Sequence, residues 1–335
     1  MSDTSSSARP APAGLRVLVT GGCGFIGSHV VRGLAEAGAE VTVLDTLDGY
    51  GFDYGARFGV RERARIVRGD AADPDVVRPL VAEADAVVHA AACADVAACT
   101  RDPRRDFASM AATQTVLEAA RDASLQRLVI ASSAQVYGDR PHDGSRFREG
   151  DPLGEPGLFY ANSKTWSERQ ARLYGKLFGV PVTVLRYFSV YGPHQVPKQG
   201  SHSWCAAIFA MRALKGLPLV VHGDGSQVRD LVSVADVAGA TIAALTAPGA
   251  VGATVNVGTG RATSIAELAR QVAGLVPGTT VEFGPRPAGD PQGAAADVTL
   301  MRELLGWSDW VDLRRGLADY LDWVDANPDL VPEWL

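Results

Sequence analysis

Arg16-Val17-Leu18-Val19-Thr20-Gly21-Gly22-Cys23-Gly24-Phe25-Ile26-Gly27 is a short β-branched strand that runs straight into glycines. A helix follows at once in Ser28-His29-Val30-Val31-Arg32-Gly33-Leu34. The spacing Gly21-x-x-Gly24-x-x-Gly27 suits a tight turn, a close backbone approach to a pyrophosphate, and close packing of helix on strand. The helix N-terminus, including Phe25 and Ile26, offers free N–H groups and partial positive charge to an anion. A second strand, Glu40-Val41-Thr42-Val43-Leu44, ends at Asp45, about 20 residues beyond the glycines, where an acidic residue can hold adenosine ribose hydroxyls. Asp45 also repels a 2′-phosphate, which favours NAD over NADP; closing a turn is its alternative role.

Working outward, the chain repeats strand-then-helix units. Ala64-Arg65-Ile66-Val67-Arg68 is a strand closed by Gly69-Asp70, and Asp70 either accepts from the adenine amino group or N-caps the helix from Pro74. Asp85-Ala86-Val87-Val88-His89 is a buried strand opening into Ala90-Ala91-Ala92, whose small side chains let backbone approach the cofactor. His89 reads first as a structural core histidine. A helix spans about 103–123, and Arg127-Leu128-Val129-Ile130-Ala131 leads into Ser132-Ser133-Ala134-Gln135-Val136-Tyr137-Gly138. Four such units in a row imply a parallel sheet covered on both faces, with ligands off the C-terminal strand ends.

Phe159-Tyr160-Ala161-Asn162-Ser163-Lys164 opens another helix. Tyr160 and Lys164, four apart, share one helical face. An ammonium beside a phenol lowers its pKa from about 10 towards a usable base. The same Lys164 can bond the nicotinamide ribose, and Ser133 can hydrogen-bond the reacting oxygen.

Bulk properties set the limits. At 335 residues, 47% hydrophobic and 21% charged, the chain can bury a large core in one large or two intimate domains. A net charge of -6 gives no nucleic-acid-binding signature, although a few concentrated arginines can still hold an anionic substrate. The four cysteines have no metal-ligand or redox spacing, so they read as reduced and the chain as cytoplasmic. Residues 1–13 read as a disordered leader, and no apolar run is long enough for a membrane span.

These pieces together resemble the extended short-chain dehydrogenases/reductases of the nucleotide-sugar epimerase/dehydratase family. The matching stretches are Thr20 to Gly27, His89-Ala90-Ala91, Ser132 to Gly138 and Tyr160-x-x-x-Lys164. Leu185-Arg186-Tyr187-Phe188-Ser189-Val190-Tyr191-Gly192-Pro193, Gly223-Asp224-Gly225-Ser226-Gln227-Val228-Arg229-Asp230 and Asn256-Val257-Gly258-Thr259-Gly260 follow in family order. The resemblance implies a Rossmann-type α/β doubly wound sheet with a smaller, mostly helical substrate domain. The first owns residues 14–185 plus about 232–262; the second owns 186–231 plus 263–335. It implies NAD held by the glycine turn, Asp45, Asp70, Ala90, Ala91, Ala92, Ser132, Tyr160, Lys164 and Tyr187. It implies a nucleotide diphosphate sugar near Ser133, Gln135, Ser189, Arg229 and Arg286. Arg229 contacts the diphosphate in this reading, or else pairs with Asp230 or Asp236. The family has Asn at the Ser189 position, and the motif around Arg286 carries an extra Ala288. Residues 197–204 form a polar insert, whose Lys198 and His202 read first as mobile surface residues. A homodimer through helices 103–123 and 160–178 is also implied.

The family's opening step has Tyr160 as phenolate taking the proton of a sugar hydroxyl while hydride passes to NAD. Family dehydratases carry Asp-Glu where this chain has Ala134-Gln135; uronate decarboxylases carry Glu at the second position, and 3,5-epimerases Cys. Gln135 moves no proton. What remains suffices for 4-epimerisation, with UDP-hexose the commonest substrate class. A decarboxylase or 3,5-epimerase drawing a proton from Cys93, Lys198 or His202 stays open, as does a 4-keto reductase. A non-catalytic NAD-binding sensor is the alternative from another class.

Overall fold

The computed structural model describes residues 12–139, 144–199, 204–286 and 292–335. Its centre is a seven-stranded parallel sheet. The strands are β1 (Arg16–Thr20), β2 (Glu40–Asp45), β3 (Arg65–Arg68), β4 (Ala86–His89), β5 (Arg127–Ser133), β6 (Val182–Tyr187) and β7 (Thr254–Val257). They lie in the order β7-β6-β5-β4-β1-β2-β3. The order reverses at β1, so β1 and β4 diverge into their loops on either side of a crevice at the C-terminal strand ends. That switch point is where open sheets of this kind take ligands.

The inner strands are largely apolar because both faces are covered, whereas the edge strand β3 keeps Arg65 and Arg68 exposed. The two-residue pleat then divides the core. Val17 and Val19 of β1, with Val129 and Ala131 of β5, join one cluster, packed beneath α1 (Phe25–Glu36) and the helix Val234–Thr246. Leu18, Leu128 and Ile130 join the other, beneath the helix Pro74–Glu83, the helix Arg104–Arg121 and the helix Phe159–Phe178. In chain order after α1, these helices are α2 (Pro74–Glu83), α3 (Arg104–Arg121), α4 (Phe159–Phe178) and α5 (Val234–Thr246). α4 stops at Gly179, which takes the left-handed conformation (φ 71°) and returns its N–H to the Tyr174 and Gly175 carbonyls.

A third cluster lies outside the sheet. It gathers Tyr191, Phe209, Leu219, Val221, Leu268 and Leu317 from the helices Cys205–Leu214, Ile265–Ala273 and Leu313–Asp325 and the parallel strand pair Leu219–His222 with Val281–Gly284. The last of these helices carries no motif and has no counterpart among the sequence expectations. Its buried Leu313, Leu317, Tyr320, Leu321 and Val324 nevertheless fall at helical spacing. A short strand, Ser189–Tyr191, continues β6 and pairs with Leu231–Ser233, which ties this region to the end of the sheet. No helix among the described residues is long and apolar enough to cross a membrane. Residues 1–11, His202 and Ala288 lie outside the described residues.

Candidate active site

The glycine turn is built for close approach. Gly21 sits at φ 70°, and a Cβ there would fall 2.8 Å from the Ala91 backbone. The loop after β4 thus closes directly over the turn after β1. A Cβ on Gly27 would strike the Gly21 carbonyl, so α1 starts as near to the turn as backbones allow. Gly24 is the N-cap of α1, with no side-chain cap and no acidic residue in the first turn. The first N–H groups of α1 therefore have no carboxylate or hydroxyl of their own helix end competing for them, which is what a pyrophosphate requires.

Asp45 closes the same crevice from β2. Its carboxylate accepts the Cys23 N–H (3.0 Å), the Leu47 N–H (3.0 Å) and the Tyr54 hydroxyl (2.9 Å). It therefore does close a turn, and it also fixes the end of β2 against the glycine loop. Asp70 is exposed and accepts the Ala72 N–H (2.9 Å). Capping of α2 falls to Asp73, which accepts from the Asp75 N–H, so the capping role expected of Asp70 is corrected. A Pro74 start puts the cap at the residue just before it.

His89 is buried, with Nδ1 2.8 Å from the Thr20 hydroxyl and Nε2 3.1 Å from the Thr113 hydroxyl. Burial, aided by the Lys164 charge, pulls it down to about 3. Burial likewise pulls His29 down to about 4, and its Nε2 lies 3.0 Å from the Pro193 carbonyl. An unfolded imidazole takes a proton below about pH 6.5, whereas these two stay neutral in the fold. Between those limits the unfolded chain binds more protons, so stability falls as pH falls. Urea unfolding at pH 5 should therefore show about 2 kcal/mol less stability per histidine than at pH 7. His89→Gln should remove its share of that slope; an unchanged slope would refute the assignment.

The reacting groups converge from β5 and α4. The Ser133 side chain favours the charged form of the Tyr160 phenol, and its hydroxyl accepts the Gln135 N–H at 3.2 Å. The Lys164 ammonium donates to the Ala131 carbonyl at 2.7 Å and lies 5.8 Å from the Tyr160 ring centre. Burial pulls Lys164 down to about 8, partly opposed by Glu168. Burial pushes Tyr160 up to about 12, partly opposed by Ser133. This corrects the expectation that helical spacing alone lowers the phenol's pKa. Desolvation dominates here, and Lys164 points to a carbonyl of β5.

Two expected cofactor contacts are directed elsewhere. Ser132 donates its hydroxyl to Glu168 Oε1 (2.6 Å), and the Tyr187 hydroxyl meets Thr241 of α5 at 2.8 Å. The strand pleat puts the two side chains on opposite faces of the sheet, Ser132 towards α4 and Tyr187 towards α5. Sequence reasoning missed what Ser132 touches. Glu168, fully buried on α4, holds Arg186 of β6 through two bonds of 2.9 and 2.7 Å. Arg186 also donates to the Tyr137 hydroxyl (2.8 Å), which donates to Asn256 (2.6 Å). This network lies directly behind Ser133 and Lys164.

On the other side of the crevice, Ser189 donates its N–H to the Asp230 carbonyl and pairs in register with Leu231. The Asp230 carboxylate takes the Thr259 N–H and hydroxyl, the Gly260 N–H and the Ala296 N–H. Asp236 accepts the Val311 N–H. The carboxylates offered as partners for Arg229 thus hold other elements together. Arg229 donates to the Val228 carbonyl (2.7 Å), and Arg286 to Gln292 (3.3 Å). Gln292 accepts the Val228 N–H on its carbonyl and donates its own N–H to Asp139, just past the Ser133–Tyr137 turn. Both arginines therefore flank one segment that reaches back to the reacting groups. Lys198 lies 5.0 Å from the Tyr50 ring centre, stacked on an aromatic cluster.

The model of the NAD dependent epimerase/dehydratase family matches residues 17–258. This chain belongs to that family. A putative UDP-glucose 4-epimerase of Methanocaldococcus jannaschii is 33% identical over 90% of this chain and 95% of its own length. The crystal structure of the Thermus thermophilus UDP-glucose 4-epimerase in complex with NAD superposes with a TM-score of 0.83. It is 34% identical and covers 93% of this chain and 100% of that one. UDP-glucuronic acid decarboxylase 1 of Xenopus tropicalis is 32% identical over 90% of this chain and 70% of its own length. The cofactor of this family member is NAD, and the uncapped α1 terminus, the Gly21–Ala91 approach and Asp45 fit it.

Proposed function

We propose that this chain is an NAD-dependent nucleotide-sugar 4-epimerase acting on a UDP-hexose or hexuronate. The observation that carries the proposal is the composition of the reacting cluster. Ser133 acts on the Tyr160 phenol and Lys164 lies alongside, while the turn that follows Ser133 begins with Ala134 and Gln135, neither of which transfers a proton. One proton-transferring oxygen suffices to remove and return the proton of a sugar hydroxyl. Water elimination, by contrast, needs a further acid or base at the ring.

Bound NAD supplies the hydride acceptor and, when oxidised, a positive charge close to the phenol. Tyr160, as the phenolate that this charge favours, takes the hydroxyl proton at its oxygen, Ser133 holds the substrate oxygen within reach, and Lys164 keeps positive charge beside them. Arg229 and Arg286 hold the diphosphate by charge-assisted bonds, with Ser189 beside them. In this reading the sheet and α1–α5 form the NAD-binding domain, and residues 186–231 and 263–335 the sugar-nucleotide domain.

Proton NMR in D₂O with catalytic NAD and a panel of nucleotide sugars tests the proposal. The expected result is a C4 epimer without deuterium on carbon, because the same hydride leaves and returns. Deuterium at C3 or C5, or release of CO₂, would overturn it in favour of a 3,5-epimerase or a decarboxylase.

The same proposal includes a homodimer through α3 and α4. These helices pack on each other and leave Phe107, Leu173 and Leu177 exposed at 69%, 46% and 64%. Apolar side chains so placed on adjoining helices suit a two-fold interface. The expected outcome is that Leu173→Asp with Leu177→Asp halves the mass measured by light scattering. An unchanged mass would place any interface elsewhere.

A further inference from the structure

His89, the last residue of β4, is buried, and the proposed chemistry gives it no task. Its hydrogen bonds decide which ring nitrogen carries the proton. The Thr20 hydroxyl, at the end of β1, accepts the Ala91 N–H at 3.3 Å. Its own proton therefore goes to His89 Nδ1, 2.8 Å away, its other partner among the described residues. Because Nδ1 accepts, the neutral ring carries its proton on Nε2 and donates it to the Thr113 hydroxyl of α3 at 3.1 Å. Thr113 gives its own proton to the Ser109 carbonyl (3.1 Å) and accepts the Ser167 hydroxyl of α4 (3.1 Å). With the proton on Nδ1 instead, the Thr20 oxygen would meet two donors. Its own proton would then have no acceptor among the described residues, a costly state in a dry site.

The same bonds hold the loop that follows β4. Thr20 takes two consecutive amides of that loop, the Ala90 N–H on its carbonyl (3.1 Å) and the Ala91 N–H on its hydroxyl. This is the stretch that lies against Gly21, where an added Cβ would fall 2.8 Å from the Ala91 backbone. The far end of the loop is held by α3. The Cys93 N–H donates to the Ser109 hydroxyl (3.0 Å), which donates to the Arg105 carbonyl (3.0 Å). His89 thus joins the two anchors, Thr20 on the sheet and the Ser109–Thr113 turn of α3. Through Ser167 the chain also reaches the helix that carries Tyr160 and Lys164.

We propose that His89, protonated on Nε2, is a positioning residue that holds the Ala90–Ala92 loop against the glycine turn and thereby sets the affinity for NAD. The inference rests on NAD lying over Gly21, as in the function proposed above, and needs nothing about the sugar. His89 acts through Thr20 and does not itself touch the cofactor. Without the acceptor at Nδ1, the Thr20 hydroxyl is free to rotate, the Ala91 N–H loses its partner, and the loop leaves the place it holds over Gly21.

Two amide substitutions separate this role from simple filling of the core. Asn puts a carbonyl oxygen where Nδ1 stands and keeps the acceptor for Thr20. Gln puts its amide at the Nε2 end, keeps a partner for Thr113 and loses that acceptor. Both remove the ring, so a purely structural histidine predicts the same outcome for the two. NAD titrated calorimetrically into the full-length chain should bind about tenfold more weakly to His89→Gln and to Thr20→Val. His89→Asn should recover affinity to within about threefold of the parent. In the isotope-labelled parent, long-range proton–nitrogen correlation should show the His89 ring protonated on Nε2, assigned by the signals missing from His89→Asn. Equal weakening of NAD binding by Asn and Gln would overturn the proposal, as would a ring protonated on Nδ1. Gly21→Ala tests the placement of NAD separately, because its Cβ meets the Ala91 backbone, and it should weaken binding at least as much as His89→Gln. Unchanged affinity in Gly21→Ala would remove NAD from this turn and overturn the placement together with the proposal.

Discussion

Tyr160→Phe is expected to lower turnover by about 10³-fold while leaving NAD binding and the folded state nearly unchanged. The phenol oxygen is the group placed to receive the sugar proton, and the substitution removes that oxygen alone. The ring keeps its place at the start of α4, and Lys164 keeps its bond to the Ala131 carbonyl. The pH profile carries a second prediction from the same geometry. Burial pushes the phenol up to about 12 in the chain alone, so the basic form must be favoured by charge that arrives with cofactor and substrate. The apparent pKa of Tyr160, followed by ultraviolet difference titration, should fall when NAD is added. It should fall less in Lys164→Met, which lacks the neighbouring ammonium. A Tyr160→Phe enzyme retaining a tenth or more of the parent turnover would transfer the base role to another residue. Cys93 would be the first to examine.

The glycine turn was legible because its demands are local. Gly21 needs a positive φ, and no long-range information is required to see that a β-branched residue fails there. The meeting of Ser133 with Tyr160 was legible for a related reason: a strand end and a helix start were both marked by their own residues. Directions beyond the backbone were less readable. Tyr187 and Ser132 stand in motifs that end at the crevice, yet the pleat turns their hydroxyls to Thr241 and Glu168. The ionisation of Tyr160 was misjudged because a four-residue spacing says who is near and nothing of how dry the place is. Glu168 was invisible for the opposite reason. A Glu four residues after a Lys on a helix looks like a solvated ion pair. Only the tertiary structure brings Arg186, from a strand 18 residues on, into bidentate contact. Arg286 was harder to place because it bonds Gln292, which has no motif of its own.

Glu168→Ala is expected to destabilise the fold by about 3–5 kcal/mol, the usual cost of stranding one member of a buried ion pair. Glu168 is 0% exposed and Arg186 1%, so neither can recover its lost partner from water. The exposed Arg172, 3.3 Å from Glu168 Oε2, can turn to solvent, whereas Arg186 is fixed between the sheet and the Tyr137 hydroxyl. The Ser132 hydroxyl loses its acceptor in the same step. Replacing both charges, Glu168→Leu with Arg186→Met, should return most of the lost stability, because the desolvation cost of two ions disappears with their attraction. Urea unfolding of the single and double variants measures this directly. A loss of about 1 kcal/mol or less in Glu168→Ala would mean the pair behaves as a surface salt bridge. The double variant also separates stability from chemistry. Lys164 loses the one carboxylate that holds its charge against burial, and its pKa should drop further below about 8. Activity in the alkaline range should therefore fall even where stability has recovered. If both recover together, the network behind Ser133 and Lys164 serves only to hold β5, β6 and α4 in place.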